Sequence, residues 1–256
     1  MKHFQLYSDL HLELKTDYIK FDVIAENLIL AGDIGKITEK HFKDFIIYAS
    51  KNWKKIFIIL GNHEYYYKNS HFIKTKEKYK AFYDSFDNVY FLDKTVVELE
   101  NTILIGATFW SKVDEKYKHL LNDFKFIKYF DKIKKRKYEI TCDFINKLHY
   151  EEKEWLLHTL DILKNTKKTI IIISHFPLTQ IGTSHPKYAG QPKELLNYFS
   201  NDFSDIFSKY TSLKIINVAG HTHYNYDIIY DNLRFISNQI ECEEELFYKK
   251  DLLISI

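Results

Sequence analysis

Five short apolar runs in this chain each end in a residue able to bind a metal ion or move a proton, and that repetition limits the fold more than any other feature. Phe4 to Ser8 run into Asp9-Leu10-His11, Asn27 to Ala31 into Gly32-Asp33, and Ile56 to Leu60 into Gly61-Asn62-His63-Glu64. Farther on, Thr169 to Ile173 lead to Ser174-His175, and Leu213 to Val218 to Gly220-His221-Thr222-His223. An apolar run of this length that stops at a turn residue reads as a buried strand. Between the second and third runs, Phe42, Phe45, Ile46 and Ala49 recur at helical spacing. The result is a β-α-β rhythm, which implies parallel strands with right-handed crossovers. Open parallel sheets gather ligands at the carboxyl ends of their strands, so the five ends are expected to converge on one sheet edge.

The remainder of the chain fills in around these runs. Ser70 to Phe86 reads as an amphipathic helix, and short strands follow at Val89 to Leu92, Val96 to Leu99 and Ile103 to Ala107. The segment from about 111 to 168 is expected to be the most helical and the most charged. Within it Thr141 is placed to cap a helix, and Tyr150-Glu151-Glu152 reads as a break in that helix. All three prolines fall at Pro177, Pro186 and Pro192, which predicts a loop from Phe176 to Pro192. A helix is then expected over Lys193 to Lys209. Alternating segments from Tyr226 to Tyr230, Leu233 to Ser237 and Leu252 to Ile256 predict an antiparallel finish. With no internal repeat and no Gly/Ser-rich linker, a single domain over residues 1–256 is expected.

Composition narrows the function classes. A formal net charge of +2 gives no general argument for nucleic acid. Cys142 and Cys242 are the only cysteines and imply no disulfide framework, only buried thiols of a reducing compartment. The opening residues lack a signal-peptide pattern and no run is long enough to span a bilayer, so a cytoplasmic protein without membrane association is expected. Only two arginines, Arg136 and Arg234, stand against abundant lysine, isoleucine and asparagine, a bias that fits an AT-rich genome.

Taken singly, each strand-end residue has a structural use: Asp9 or Asp33 could cap a helix, Asn62 could support a turn, and His175 could sit satisfied in a core. Together they form a donor set. Asp and His two apart on extended chain project to one side, as Asp9/His11 and His221/His223 would. Carboxylate and imidazole without cysteine suit divalent transition metals, and the seven residues Asp9, His11, Asp33, Asn62, His175, His221 and His223 are more than one ion can use. A two-metal site follows.

In the order and content of these motifs the chain resembles the calcineurin-like metallophosphoesterase superfamily. The family pattern Asp-x-His, Gly-Asp, Gly-Asn-His-Asp/Glu, His, Gly-His-x-His is matched by the five strand ends, from Asp9 to His223. The resemblance implies an α/β fold, a four-layer α/β/β/α sandwich of two mixed sheets flanked by helices. It also implies that Asp9, His11 and His223 hold one metal ion, that Asn62, His175 and His221 hold a second, and that Asp33 bridges them. Mn²⁺ is the expected cation, with Fe, Zn, Ni and Co as alternatives. His63 resembles the family histidine that acts on the leaving group, and Glu64 a residue that orients its neighbours. The reaction implied is hydrolysis of a phosphoester by a hydroxide held between the two ions.

Departures from the family bear on substrate. The Gly32-Asp33-Ile34-Gly35 stretch lacks the Asp-Arg of Ser/Thr protein phosphatases, and Leu60 stands where those enzymes carry arginine. A small, nucleotide-derived or other phosphoester is therefore expected as the substrate partner, monoester or diester. A nuclease is the alternative, motivated by the basic run Lys132 to Lys137, for which a solvated loop or helix face is the simpler reading. A non-catalytic scaffold on the same fold is the third reading. Tyr65, Trp110 and His185 are candidates for substrate contact, with ordinary packing the competing use of the two aromatics.

Overall fold

A computed structural model describes residues 3–18, 20–240, 249 and 251–255; Cys242 and Ile256 lie outside the described residues. The first part of the chain supplies β1 (His3–Tyr7), β2 (Asn27–Ala31), α1 (Lys40–Asn52), β3 (Lys55–Ile59), α2 (Phe72–Tyr83), β4 (Val89–Phe91), β5 (Thr95–Glu98) and β6 (Thr102–Gly106). A short helix, α3 (Asp123–Phe126), and a hairpin of β7 (Lys128–Asp131) and β8 (Arg136–Glu139) precede the long helix α4 (Cys142–Leu163). Then come β9 (Thr169–Ile173), α5 (Lys193–Phe199), α6 (Ser204–Phe207), β10 (Ile215–Ala219), β11 (Asp227–Tyr230), β12 (Leu233–Ser237) and β13 (Leu253–Ser255).

Apart from the β7–β8 hairpin, these strands form two mixed sheets. One has the order β13-β1-β2-β3-β4, the other β11-β12-β10-β9-β6-β5. Interior pairs are parallel, and the antiparallel pairs are confined to the margins, at β13–β1, β5–β6 and β11–β12. Strands β2, β6, β9 and β10 are buried along their whole length, as strands covered on both faces must be.

Strand alternation sorts these buried residues into three cores. Leu28, Leu30, Ile56 and Ile58 face α1 and α2, packing with Phe42, Phe45, Ile46 and Tyr79. Their neighbours Ile29, Ala31, Phe57 and Ile59 point the other way, against Leu104, Ile171, Ile173 and Val218 of the second sheet. The remaining faces of β6, β9 and β10 pack through Ile103, Ile170, Ile172 and Ile215 on Leu156 and Leu160 of α4. Helix, sheet, sheet, helix is the resulting order, the α/β/β/α sandwich expected.

Several local expectations are corrected. Helix α4 runs unbroken through Tyr150-Glu151-Glu152, because Glu152 is buried and accepts the Trp110 backbone N–H at 2.7 Å, so a polar residue occupies a core-facing helical position. Thr141 does cap it, accepting from Phe144 N at 3.2 Å. The expected helix over Lys193 to Lys209 is two short ones, α5 and α6. Between them Asn201 N bonds Pro177 O at 2.8 Å and Asn201 Nδ2 bonds Phe109 O at 2.9 Å, so tertiary partners replace helical ones. The segment before α4 carries a hairpin, and the basic run occupies its turn and β8. The finish is only partly antiparallel: β12 runs parallel to β10, and β13 crosses to the first sheet.

Candidate active site

The five strand ends come from both sheets, not from one edge as the sequence suggested. β1, β2 and β3 deliver Asp9, His11, Asp33, Asn62 and His63; β9 and β10 deliver His175, His221 and His223. Several hydrogen bonds tie the sheets together at this end, two of them beside the site. Thr108 Oγ1 donates to Leu60 O at 2.8 Å, and His175 Nδ1 lies 3.0 Å from Ala31 O. The second contact requires the proton on Nδ1, so Nε2 is the nitrogen turned to Asp33 and Asn62.

The backbone at these ends is unusual. Asp9, His11, Asp33, His221 and His223 all have positive φ, between 44° and 70°. Non-glycine residues seldom adopt this left-handed conformation, which costs about 1–3 kcal/mol each. The same-side projection expected from extended chain is thus produced by a sharp turn at each residue instead. The glycines are explained by close approach. A Cβ on Gly61 would collide with Asp33 Oδ1, one on Gly220 with Asp9 Oδ2, and one on Gly32 with the His175 ring.

The side chains converge. Asp33 Oδ2 lies 3.3 Å from His175 Nε2 and 3.9 Å from His11 Nε2, while its Oδ1 accepts the His63 backbone N–H at 2.9 Å. Asp9 Oδ1 is 3.5 Å from His223 Nε2, and Asp9 accepts the His221 N–H. Asn62 Oδ1 sits 3.1 Å from His175 Nε2. All except the partly exposed His63, His221 and His223 are buried. Burial opposes charge on the histidines, yet Glu13, Asp33 and Asp9 outweigh it and raise His11 to about 9; Asp33 and Asp9 likewise raise His175 to about 10. Against the same cost of burial, His175 and His63 hold the Asp33 carboxyl well below the usual carboxylate range.

Three further residues fix this arrangement. Glu64 is fully buried and accepts four backbone N–H groups, from Asp33, Ile34, Gly35 and Gly61, at 2.7–3.2 Å. Burial and the Asp33 charge push its pKa up to about 8, while the four donors favour the ionised form. Glu13 Oε1 lies 3.3 Å from both His11 Nδ1 and His63 Nδ1. Burial of Glu13 is overcome by these two hydrogen bonds, which bring its pKa down to about 2. Asp123, buried on α3, accepts from Asn62 Nδ2 at 2.8 Å, Tyr66 OH at 2.5 Å and Tyr198 OH at 2.8 Å. Tyr66 in turn stacks on His63, with ring centres 4.4 Å apart.

Among the substrate-contact candidates, His185 lines the cavity over the site, as does Tyr66. Tyr65 and Trp110 do not: Tyr65 stacks on Phe72 at 4.2 Å, Trp110 packs on Phe176 at 5.4 Å, and both are buried in the core. The Tyr65-Tyr66-Tyr67 run stood out in the sequence, and of its first two members it is Tyr66 that lines the cavity; sequence reasoning gave no role to Glu13 or Asp123. Glu13 carried a signal, standing two residues beyond His11. Asp123 carried none, since only the fold brings α3 to Asn62.

The donor set suits cations. Asp9, His11 and His223 offer ligand atoms within 4.8 Å of one another, and so do Asp9, Asp33 and His175. His11 Nε2 faces His223 Nε2 at 3.3 Å, a contact of two nitrogens that needs a proton or a cation between them. The buried Nε2 of His221 has no hydrogen-bond partner among the described residues. A buried nitrogen in this position is costly unless something accepts its lone pair.

The model of the calcineurin-like phosphoesterase family matches residues 6–225, and the chain belongs to that family. An uncharacterized protein of Acanthamoeba polyphaga mimivirus is 30% identical over 265 residues, covering 96% of this chain and 93% of the relative. The phosphopantetheinyl hydrolase of Mycobacterium tuberculosis has the same fold, with a TM-score of 0.57 at 16% identity over 93% of this chain and 89% of that one. A dimetal phosphatase from Danio rerio superposes with a TM-score of 0.52 at 12% identity, covering 94% of this chain and 88% of that one. No helix among the described residues is long and apolar enough to cross a membrane.

Proposed function

We propose that this protein is a metal-dependent phosphohydrolase that cleaves a small phosphoester with two divalent cations. The observation that carries the reading is the meeting of Asp33 and His175 across the two sheets at 3.3 Å, beside the unpartnered Nε2 of His221. Asp9, His11 and His223 would hold one cation, Asn62, His175 and His221 the other, and Asp33 both. Mn²⁺ is the first choice, with Fe, Zn, Ni or Co as alternatives. Such ions neutralise charge on phosphoryl oxygens and acidify water.

The chain's own groups carry the remaining work. Glu13 engages His63 Nδ1, which leaves Nε2 as the nitrogen turned to the cavity, and Tyr66 holds the ring from its face. His63 then donates a proton to the departing ester oxygen as the phosphorus–oxygen bond to it breaks, and recovers one from water. Glu64 keeps the Gly32-Asp33 turn rigid through its four accepted bonds. A reducing compartment such as the cytoplasm suits the buried free thiol of Cys142.

The nuclease alternative gains nothing from the basic run. None of Lys132 to Lys137 lines the cavity. Hydrolysis of bis(p-nitrophenyl) phosphate and p-nitrophenyl phosphate by the metal-loaded protein tests the reading. Turnover that depends on Mn²⁺, Ni²⁺, Co²⁺ or Zn²⁺ is expected, and inactivity with all four would sink it.

A further inference from the structure

The cavity that opens onto His63, His221 and His223 measures about 530 Å³, within the roughly 300–1,000 Å³ span of small-molecule sites. A phosphoryl group fills only its floor, so the rest must receive the organic part of the substrate. Part of the lining is hydrocarbon, beside the polar Asn122, Ser184, His185 and Gln191. Leu195, Leu196 and Phe199 lie at adjacent positions on one side of α5, and Leu120, on the segment before α3, lines the cavity as well. Tyr188, from the proline-rich loop, adds an aromatic ring to the lining.

Charge is missing from this apolar part. Among the described residues lining the cavity, none is lysine or arginine. Lys187 belongs to the same turn as Tyr188, but its Nζ lies over the Tyr188 ring at 4.9 Å and is not part of the lining. Sites for a second phosphate or a carboxylate supply arginine or lysine for it. Seated against α5, such a group would face leucine and phenylalanine, where an unpaired charge is expensive; the other lining groups, Asn122, Ser184, His185 and Gln191, offer hydrogen bonds. Leu120 and Tyr188 are 55% and 41% exposed, so apolar surface stands open to water. Covering it with an apolar ligand group is favourable.

We infer that the substrate is a phosphoester whose esterified group is uncharged and largely apolar, seated against α5 and Leu120. The inference rests on the phosphohydrolase reading for its phosphate end, but the apolar seat itself is tested by binding. Two phosphonates share one head group and differ in the tail: 1-naphthylmethylphosphonate and 3-phosphonopropionate. Their affinities are measured by calorimetry on the metal-free and the Mn²⁺-loaded protein. The naphthyl compound should bind roughly tenfold or more tightly in both forms. Equal or tighter binding of the carboxylate-tailed compound overturns the inference, even in a protein that hydrolyses bis(p-nitrophenyl) phosphate. Leu120→Lys, at an exposed position that tolerates the change, should narrow the ratio roughly threefold or more by adding a partner for the carboxylate. An unchanged ratio in that variant, with the fold intact by circular dichroism, would also count against the seat proposed. Failure of catalysis with the naphthyl preference retained would instead remove the phosphohydrolase reading and leave the apolar seat.

Discussion

Asp123 holds Asn62 by its amide nitrogen, 2.8 Å from Nδ2 to Oδ1, and thereby decides which end of the amide faces the candidate metal centre. The Asn62 oxygen is left 3.1 Å from His175 Nε2. Without the carboxylate the amide is free to turn its nitrogen inward, and a nitrogen with two protons cannot bind a cation. Asp123→Leu is expected to weaken Mn²⁺ binding at the Asn62 ion by roughly 10- to 100-fold, measured by calorimetry. Asp123→Asn should restore most of that loss, because its oxygen still accepts from Nδ2. Two full-affinity ions in Asp123→Leu would show that the hydrogen bond has no such role.

His63 contacts Glu13 and lines the cavity, and the proposed ligand sets leave its ring out. His63→Ala should lower kcat by roughly 10²–10⁴ with both ions retained. Metal analysis of the purified variant is the check; loss of an ion would move His63 into the ligand set.

Asp33 lies within 4 Å of histidines from both sheets, His11 and His175. Asp33→Asn is expected to reduce occupancy of both ions together, read as metal per chain by plasma mass spectrometry. Loss of one ion with the other at full occupancy would remove Asp33 as the bridge.

Glu152 gives a pH signature far from the site. Burial, aided by Asp93, raises its pKa from 4.5 to about 8 in the folded chain. Between those values the folded state keeps a proton that the unfolded state has released, so stability falls as pH rises through this window. Below pH 4.5 the group contributes fully, and above about 8 that contribution is gone. Glu152→Gln should flatten the decline. In urea denaturation at pH 5.5, 7 and 8.5, its stability relative to the parent should climb with pH, and parallel curves would disprove the assignment.

The parts of the fold that could be read in the sequence are those dictated by local chemistry. Thr169 to Ile173 is an unbroken β-branched run, and a strand buried on both faces has little other composition available. The chemical identity of the strand-end residues also survives any error in topology, which is why Asp9, Asp33 and His175 stood out before their sheets were known. What could not be read depends on partners distant in sequence. Glu152 looked like a helix break because its acceptor role for Trp110 N–H is invisible along the chain. The left-handed turns at Asp9 and His221 are imposed by their neighbours' packing, since both residues prefer other conformations when free. Tyr66 lines the cavity while Tyr65 packs on Phe72, a division between adjacent tyrosines that composition cannot make.

Asp33 leaves one sheet and His175 the other, so the distance between them is inherited from the filling between the sheets. Ile29, Phe57, Ile171 and Val218 are spacers as well as core. Packed sheets stand about 10 Å apart, and each methylene added or removed in this layer changes how far the two halves of the site can close. The calibre of the centre is thus set by side chains that never touch it. Adaptation to another ion or ester has two routes, one through the residues that face the cavity and one through the shims beneath them.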